Sequence, residues 1–301
     1  MHVGSCLDGE LVEKYYGGHA NIFRAEHKGR AVAVKIRRLY QTSDFDKYLS
    51  EFCREAVTWR HLRHPNILPL LGVSLERRQF AMISEWMDSG NINEFVEGNE
   101  GVNRAQLLVD AATGLEYMHS LHMVHGDLKG ANILIDNGFR ACLADFGLST
   151  IAGVEHRAAT SLISVVSAVS LMSFTTGGTV RWMSPELLDP DRFGITDCRP
   201  TKQSDCYALG MVIYEVLRGN APYWEITNEN VVVNIIMNGG RPQKPEAAES
   251  LGFTKELWKI VEQCWSADAS TRPDVRTVLS HLNHATWSWK RRQFIKKNIC
   301  D

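Results

Sequence analysis

"VHGDLKGANILI", residues 124–135, holds the spacing on which the fold is read. His125, Asp127, Lys129 and Asn132 stand close together in a polar stretch that ends on an apolar run. Asp, Gly and Asn are all turn formers, so a plain turn would explain each of them singly. Together they can set one base, one cation and one amide ligand around a single point. Working outward, "ADFGLS" (144–149) adds Asp145, eighteen residues after Asp127, followed by Phe146 and Gly147. Either motif is weak by itself; both at this separation are a strong signal. Upstream, "AVAVKI" (31–36) sets Lys35 in an otherwise apolar β-run. A buried ammonium needs an anion beside it, and Glu55, on the amphipathic stretch that follows, is its natural partner. On spacing alone, Lys35 reads equally well as an edge-strand residue facing solvent, and Glu55 as a solvated charge.

The rest of the chain supplies a frame for these residues. Short β-rich pieces alternate over 10–38, broken at Gly17–Gly18 and Lys28–Gly29. Residues 43–62 switch to a helical period, with Phe45, Leu49, Phe52, Ala56 and Trp59 three or four apart and Ser43 as a cap. "HPNILPLLGV" (64–73) and "QFAMISEWM" (79–87) return to strand character, and helices dominate from 103 onward. The expectation is an α+β chain, a small β-rich lobe at about 10–86 and a larger helical lobe at about 90–285. Residues 1–9 and 286–301 are expected as short tails, "WSWKRRQFIKK" (287–297) being a solvated end after the last helix.

Composition excludes more than it selects. With 33 basic and 35 acidic side chains among 301 residues, the net charge of −2 creates no field that would favour nucleic acid or membrane. Seven cysteines without a Cys-x-x-Cys pair read as reduced thiols, not a zinc site or disulfide framework. The start of the chain carries no apolar core of signal-peptide length. The most apolar tract, "LISVVSAVSLMSF" (162–174), falls short of the ~18 residues a membrane helix needs. A cytoplasmic location without a transmembrane segment is expected.

"VAVK", "HPNI", "HGDLKGAN", "DFG", "GTVRWMSPE" and "SDCYALG", in that order, resemble a eukaryotic protein kinase catalytic domain, the match running over roughly residues 10–285. The resemblance implies a bilobal protein-kinase-like fold and ATP-dependent phosphorylation of protein substrates, with ATP and Mg²⁺ as cofactors. By that likeness Lys35 and Glu55 would hold the ATP phosphates, and Asn132 and Asp145 the magnesium. Asp127 would orient and deprotonate the acceptor hydroxyl, and Lys129 would neutralise the transferred phosphoryl. Gly17 and Gly18 would belong to the phosphate loop. Ile22, Ala33 and Leu134 would enclose the adenine, with Ser84 as gatekeeper ahead of the hinge residues Glu85 and Met87. Trp59, His125 and Phe146 would form an apolar column between the lobes, Glu186 would pair with Arg272, and Asp205 would anchor the catalytic loop. "DLKGAN" and "GGTV" match serine/threonine kinases, whereas "RWMSPE" resembles the tyrosine-kinase pattern. This mixture is typical of the tyrosine-kinase-like group, so serine and threonine are the expected acceptors.

Three departures bear on that reading. "YYGGHANI" (15–22) keeps Gly17 but sets Tyr15 and Ala20 where outer glycines belong, which weakens the expected grip on phosphate. Gly126 replaces the arginine that usually contacts a phosphorylated activation segment, which argues against phosphate gating and not against catalysis. Between Asp145 and Glu186, the apolar stretch at 153–176 lengthens the segment by roughly ten to fifteen residues, and loops of such length are functional or disordered. Tyr15 and the apolar stretch favour the alternative expectation, a pseudokinase that uses the fold as a binding module.

Overall fold

The computed structural model describes residues 8–16, 20–37, 45–75, 80–151, 179–196, 199–246 and 248–299. Gly17, Gly18, Ser43 and the apolar stretch at 153–176 lie outside the described residues. Strands β1 (Asp8–Tyr16), β2 (Ala20–His27), β3 (Arg30–Arg37), β4 (Leu70–Ser74) and β5 (Ala81–Glu85) form one antiparallel sheet ordered β1-β2-β3-β5-β4. The β2–β3 hairpin turns through Lys28 (φ 52°) and Gly29 (φ 73°). Two successive positive φ values match the right-handed twist of the flanking strands.

Side-chain alternation gives this sheet two distinct faces. Ala25, Val32, Val34, Ala81 and Ile83 pack together on one of them. The other carries Ile22, Ala33, Lys35, Met82 and Ser84, because the register pairs Ile22 with Lys35, Ala33 with Ser84 and Lys35 with Met82. Helix α1 (Phe45–His61) buries Tyr48, Phe52, Glu55 and Trp59 along one stripe at helical spacing. The expected partner of Lys35 is thus carried on the buried side of α1.

The helical part comprises α2 (Ile92–Gly98), α3 (Arg104–Ser120), α4 (Pro185–Leu188), α5 (Lys202–Arg218), α6 (Glu229–Met237), α7 (Lys255–Cys264) and α8 (Val275–Ile299). Helix α5 is buried on every side from Ser204 to Leu217, which makes it the central rod of this part. Two small antiparallel pairs belong to this part: β6 (Met123–Val124) with β9 (Thr150–Ile151), and β7 (Ile133–Ile135) with β8 (Ala141–Leu143). Residues 125–132 span the gap from β6 to β7, and Asp145 follows β8 after one residue, Ala144. One hydrophobic core runs without a break from Phe52 and Trp59 through Phe146 to Leu209 and Val278. Among the described residues, no helix is long and apolar enough to cross a membrane.

Three expectations change. The expected strand at 64–73 is extended only from Leu70, since Pro65 and Pro69 cannot donate to a ladder. The residues before it are pinned instead by Leu68 N donating to Leu143 O (2.9 Å) and Asn66 Nδ2 to Ala141 O (2.9 Å). Helix α2 occupies a stretch between the two lobes to which the sequence analysis assigns no element. Its signal was present: the Asn91 side chain accepts from Glu94 N (3.1 Å) while Glu94 Oε2 accepts from Asn91 N (3.0 Å), a reciprocal cap. Finally, α8 continues to Ile299, so residues 287–297 extend the last helix and do not follow it.

Candidate active site

Lys35 Nζ lies 3.1 Å from Glu55 Oε1 and 2.6 Å from Asp145 Oδ1, joining β3, α1 and the turn after β8. Burial disfavours the ammonium, yet the Asp145 and Glu55 carboxylates outweigh it and raise the lysine above its ordinary pKa. Conversely, burial opposes the Asp145 charge, and Lys35 overcomes it, holding the carboxyl below its usual range. Asp145 itself takes a left-handed backbone (φ 63°). Gly147 opens the turn that follows, where Ser149 N donates to Phe146 O (3.0 Å), so the left-handed residue here is Asp145 and not a glycine. Such a conformation costs an L-residue about 1–2 kcal/mol and persists where the surroundings over-determine it. Here Lys35 grips the carboxylate while Phe146, 1% exposed, is wedged between Trp59 (5.6 Å) and His125 (5.7 Å).

The 125–132 loop is held from below. Asp205 on α5 accepts from the backbone N–H of His125 (2.8 Å) and Gly126 (2.9 Å), and its Oδ2 lies 2.8 Å from His119 Nε2. This backbone arrangement requires Gly126 at φ 83°, where an added Cβ would stand 2.9 Å from Leu148 O and 3.2 Å from Pro200 Cγ. Gly126→Ala is therefore expected to destabilise the protein by about 1–2 kcal/mol in chemical denaturation, from left-handed strain and the backbone clash. An unchanged midpoint would show that the loop relaxes freely.

Within that loop, Asp127 and Lys129 are paired at 3.0 Å, and Lys129 Nζ also donates to Thr179 Oγ1 (2.7 Å). Asn132 Nδ2 donates to Asp127 O (2.7 Å) and Oδ2 (2.9 Å). That orientation leaves the Asn132 side-chain oxygen as the atom available to a cation. Ala144 N donates to Asn132 O (2.9 Å), so Asn132 is tied to the residue preceding Asp145. Two hard oxygen donors, the Asn132 amide and the half-exposed Asp145 carboxylate, fit a magnesium ion that keeps most of its own water. Among the described residues there is no cluster of three or more His, Cys, Asp or Glu suited to a metal. The other Asp127 oxygen, Oδ1, is buried without a hydrogen-bond partner. Burial raises the Asp127 pKa and Lys129 pulls it back, with a net upward shift.

The residues expected around adenine come from both parts. Ile22, Ala33 and buried Ser84 share the sheet face that carries Lys35. Glu85 is exposed and Met87 buried in the connection out of β5. Leu134, half-buried, is brought up to that connection by its bridge to Asn91. Glu186 and Arg272 form a bidentate pair at 2.6 and 2.7 Å, both residues buried.

Sequence reasoning missed Glu215. This α5 residue is 3% exposed and accepts from Asn93 Nδ2 (2.7 Å), Gly130 N (3.0 Å) and Trp182 Nε1 (2.8 Å). A carboxylate inside the apolar run "ALGMVIYEVL" (208–217) was the available signal, because a buried charge demands donors.

A family model described as protein tyrosine and serine/threonine kinase matches residues 2–282. The chain belongs to this family. Its relatives include serine/threonine-protein kinase STY17 of Arabidopsis thaliana, 27% identical over 89% of this chain and 42% of the relative. Serine/threonine/tyrosine-protein kinase HT1 of the same plant is 27% identical over 88% of the chain and 63% of the relative. Human receptor-interacting serine/threonine-protein kinase 1 is 25% identical over 88% of the chain and 38% of the relative. The kinase domain thus spans between 38% and 63% of the length of these relatives.

Proposed function

We propose that this kinase domain transfers the γ-phosphate of ATP, with Mg²⁺, to serine and threonine hydroxyls of cytoplasmic protein substrates. The observation that carries the reading is the Lys35 ammonium clamped between Glu55 and Asp145 with Phe146 packed inward. A pseudokinase need not keep this costly arrangement, in which a strained aspartate and a part-buried cation hold each other in place. The names of the relatives, the Lys129–Thr179 contact and the "GGTV" stretch favour serine and threonine as acceptors.

Each side chain has a task that its position allows. Lys35, its charge secured by the two carboxylates, binds the ATP phosphates. Ile22, Ala33 and Leu134 offer apolar surface to adenine, beside the backbone of Glu85 to Met87; Gly17 and Gly18 belong to the phosphate loop. Asn132 and Asp145 would hold magnesium, which when bound would supply positive charge against the phosphates. Asp127 accepts the proton of the acceptor hydroxyl through its unpartnered Oδ1. Lys129 offsets negative charge between Asp127 and the transferred group. The domain bounds 10–285 follow the same reading.

Magnesium-dependent stabilisation by ATP tests it directly. Nucleotide at a hundred times its Kd is expected to stabilise the domain by about 2.7 kcal/mol, read as a rise in Tm. Asp145→Asn should remove the magnesium dependence. A Tm indifferent to ATP and magnesium in the wild type would support the pseudokinase reading instead.

A further inference from the structure

Residues 287–299, "WSWKRRQFIKKNI", are left without a task by the phosphoryl-transfer reading. Five of these thirteen residues are basic (Lys290, Arg291, Arg292, Lys296 and Lys297), five are Trp, Phe or Ile, and none is acidic. The whole chain carries a net charge of −2, so the remainder is net negative and the segment is a basic pole.

Helix α8 sets this pole at the edge of the helical part. Val275, Val278, Leu282, Ala285 and Thr286 are its buried residues, and the helix packs against α3. Among the described residues of α8, Thr286 is the last buried one, yet the helix runs on to Ile299, about 20 Å further at 1.5 Å per residue. Half-buried Trp289 lines a cleft with Val102, Arg104, Leu251 and Ala285, so its side of the helix faces the body. Trp287 stands about 160° away from it around the helix and is 57% exposed. Helical spacing puts positions Arg291, Phe294 and Ile295 on the Trp287 side, with Lys290 and Lys297 flanking them.

We propose that the end of α8 is a membrane-surface helix that holds the domain against an anionic lipid bilayer. Cations beside Trp and Phe suit the headgroup layer, where the rings enter the interface and the basic groups stay with the lipid phosphates. Thirteen residues are too few to cross the hydrocarbon core, which takes about 20, so the helix lies on the surface. The net negative remainder is repelled by such a bilayer, which turns the pole toward it. Nucleic acid would use the same cations but gain little from Ile295 and Ile299, which have no ring to stack on a base.

Flotation of the full chain with vesicles of equal parts phosphatidylserine and phosphatidylcholine tests this without any substrate. The wild type is expected to float with these vesicles and to stay behind with phosphatidylcholine alone. Binding should vanish when salt is raised from about 0.1 M to about 1 M, because the Debye length falls from about 10 Å to about 3 Å. Lys290→Gln, Arg291→Gln and Arg292→Gln combined should weaken binding about a hundredfold, each cation near the surface counting for about fivefold. Trp287→Ala leaves every charge in place and should weaken it about tenfold. Both variants should keep the wild-type Tm, since the altered positions lie beyond the buried part of α8. A fall in Tm would place those side chains in the packed body and count against the proposal. Flotation with neither vesicle, equal flotation with both, or a triple variant that floats like the wild type would overturn it. So would a duplex oligonucleotide that displaces the vesicles and binds Trp287→Ala as tightly as the wild type, which would assign the pole to nucleic acid.

Discussion

Asp127→Asn is expected to lower phosphoryl transfer about 10²–10⁴-fold while leaving the ATP-induced rise in Tm in place. The substitution preserves shape but replaces a carboxylate that can take a proton with an amide that cannot. Asp127 Oδ1 is buried and has no hydrogen-bond partner, while Oδ2 is held by Asn132 and Lys129. The free oxygen is therefore the one positioned to meet an acceptor hydroxyl. Burial sets the Asp127 pKa above the ordinary carboxylate value of 3.8, with Lys129 restraining the rise. Only the ionised form can accept a proton, so the rate should fall as pH drops through that raised pKa. Lys129→Met removes the restraint and should carry the acid limb to still higher pH. Labelled ATP with a generic basic protein substrate, assayed across pH, measures all three forms. Transfer that survives in Asp127→Asn would assign the base elsewhere.

Arg272→Ala should cost about 3–5 kcal/mol of folding stability, the largest loss expected of any substitution considered. The guanidinium forks onto both Glu186 oxygens, donates further to Ser266 O and Gln203 O, and lies 5.1 Å from the Tyr207 ring centre. Truncation strands the Glu186 carboxylate in the interior and leaves those carbonyls without their donor. Against a typical total stability of about 5–15 kcal/mol, such a loss would bring the domain close to unfolding. The pH dependence supplies a sign. Burial opposes the Glu186 charge, but Arg272 outweighs it and holds the folded pKa below 4.5. The pair thus stabilises fully above pH 4.5 and loses its contribution as pH falls through the lower folded value. In Arg272→Ala the unpaired buried carboxyl reverses the trend, so acidification should then favour folding. Urea denaturation at pH 7 and at a pH below 4.5 would register both effects. A loss below about 1 kcal/mol would mean that the pair is solvated and dispensable.

The kinase family was legible in short local patterns. Alternation marked β2 and β3, helical spacing marked α1 with Glu55 on its buried stripe, and the 124–135 and 144–149 motifs lay within a single stretch of chain. The structure brings Lys35, Glu55 and Asp145 together, and likewise Asp127, Lys129 and Asn132. Periodicity records which face of an element is buried, since that depends on spacing along one segment. It does not record what lies across from that face. The Glu215 contacts cross 122, 85 and 33 residues of sequence, so only the folded chain reveals three donors converging on it. The left-handed turn at Asp145 was hidden for the same reason. Nothing local to Asp145 marks it as left-handed, and the Lys35 ammonium that holds its carboxylate lies 110 residues away in sequence. Local chemistry determined the family and the candidate reactive groups; tertiary structure decided which charge is clamped, which is left free, and which backbone bears the strain.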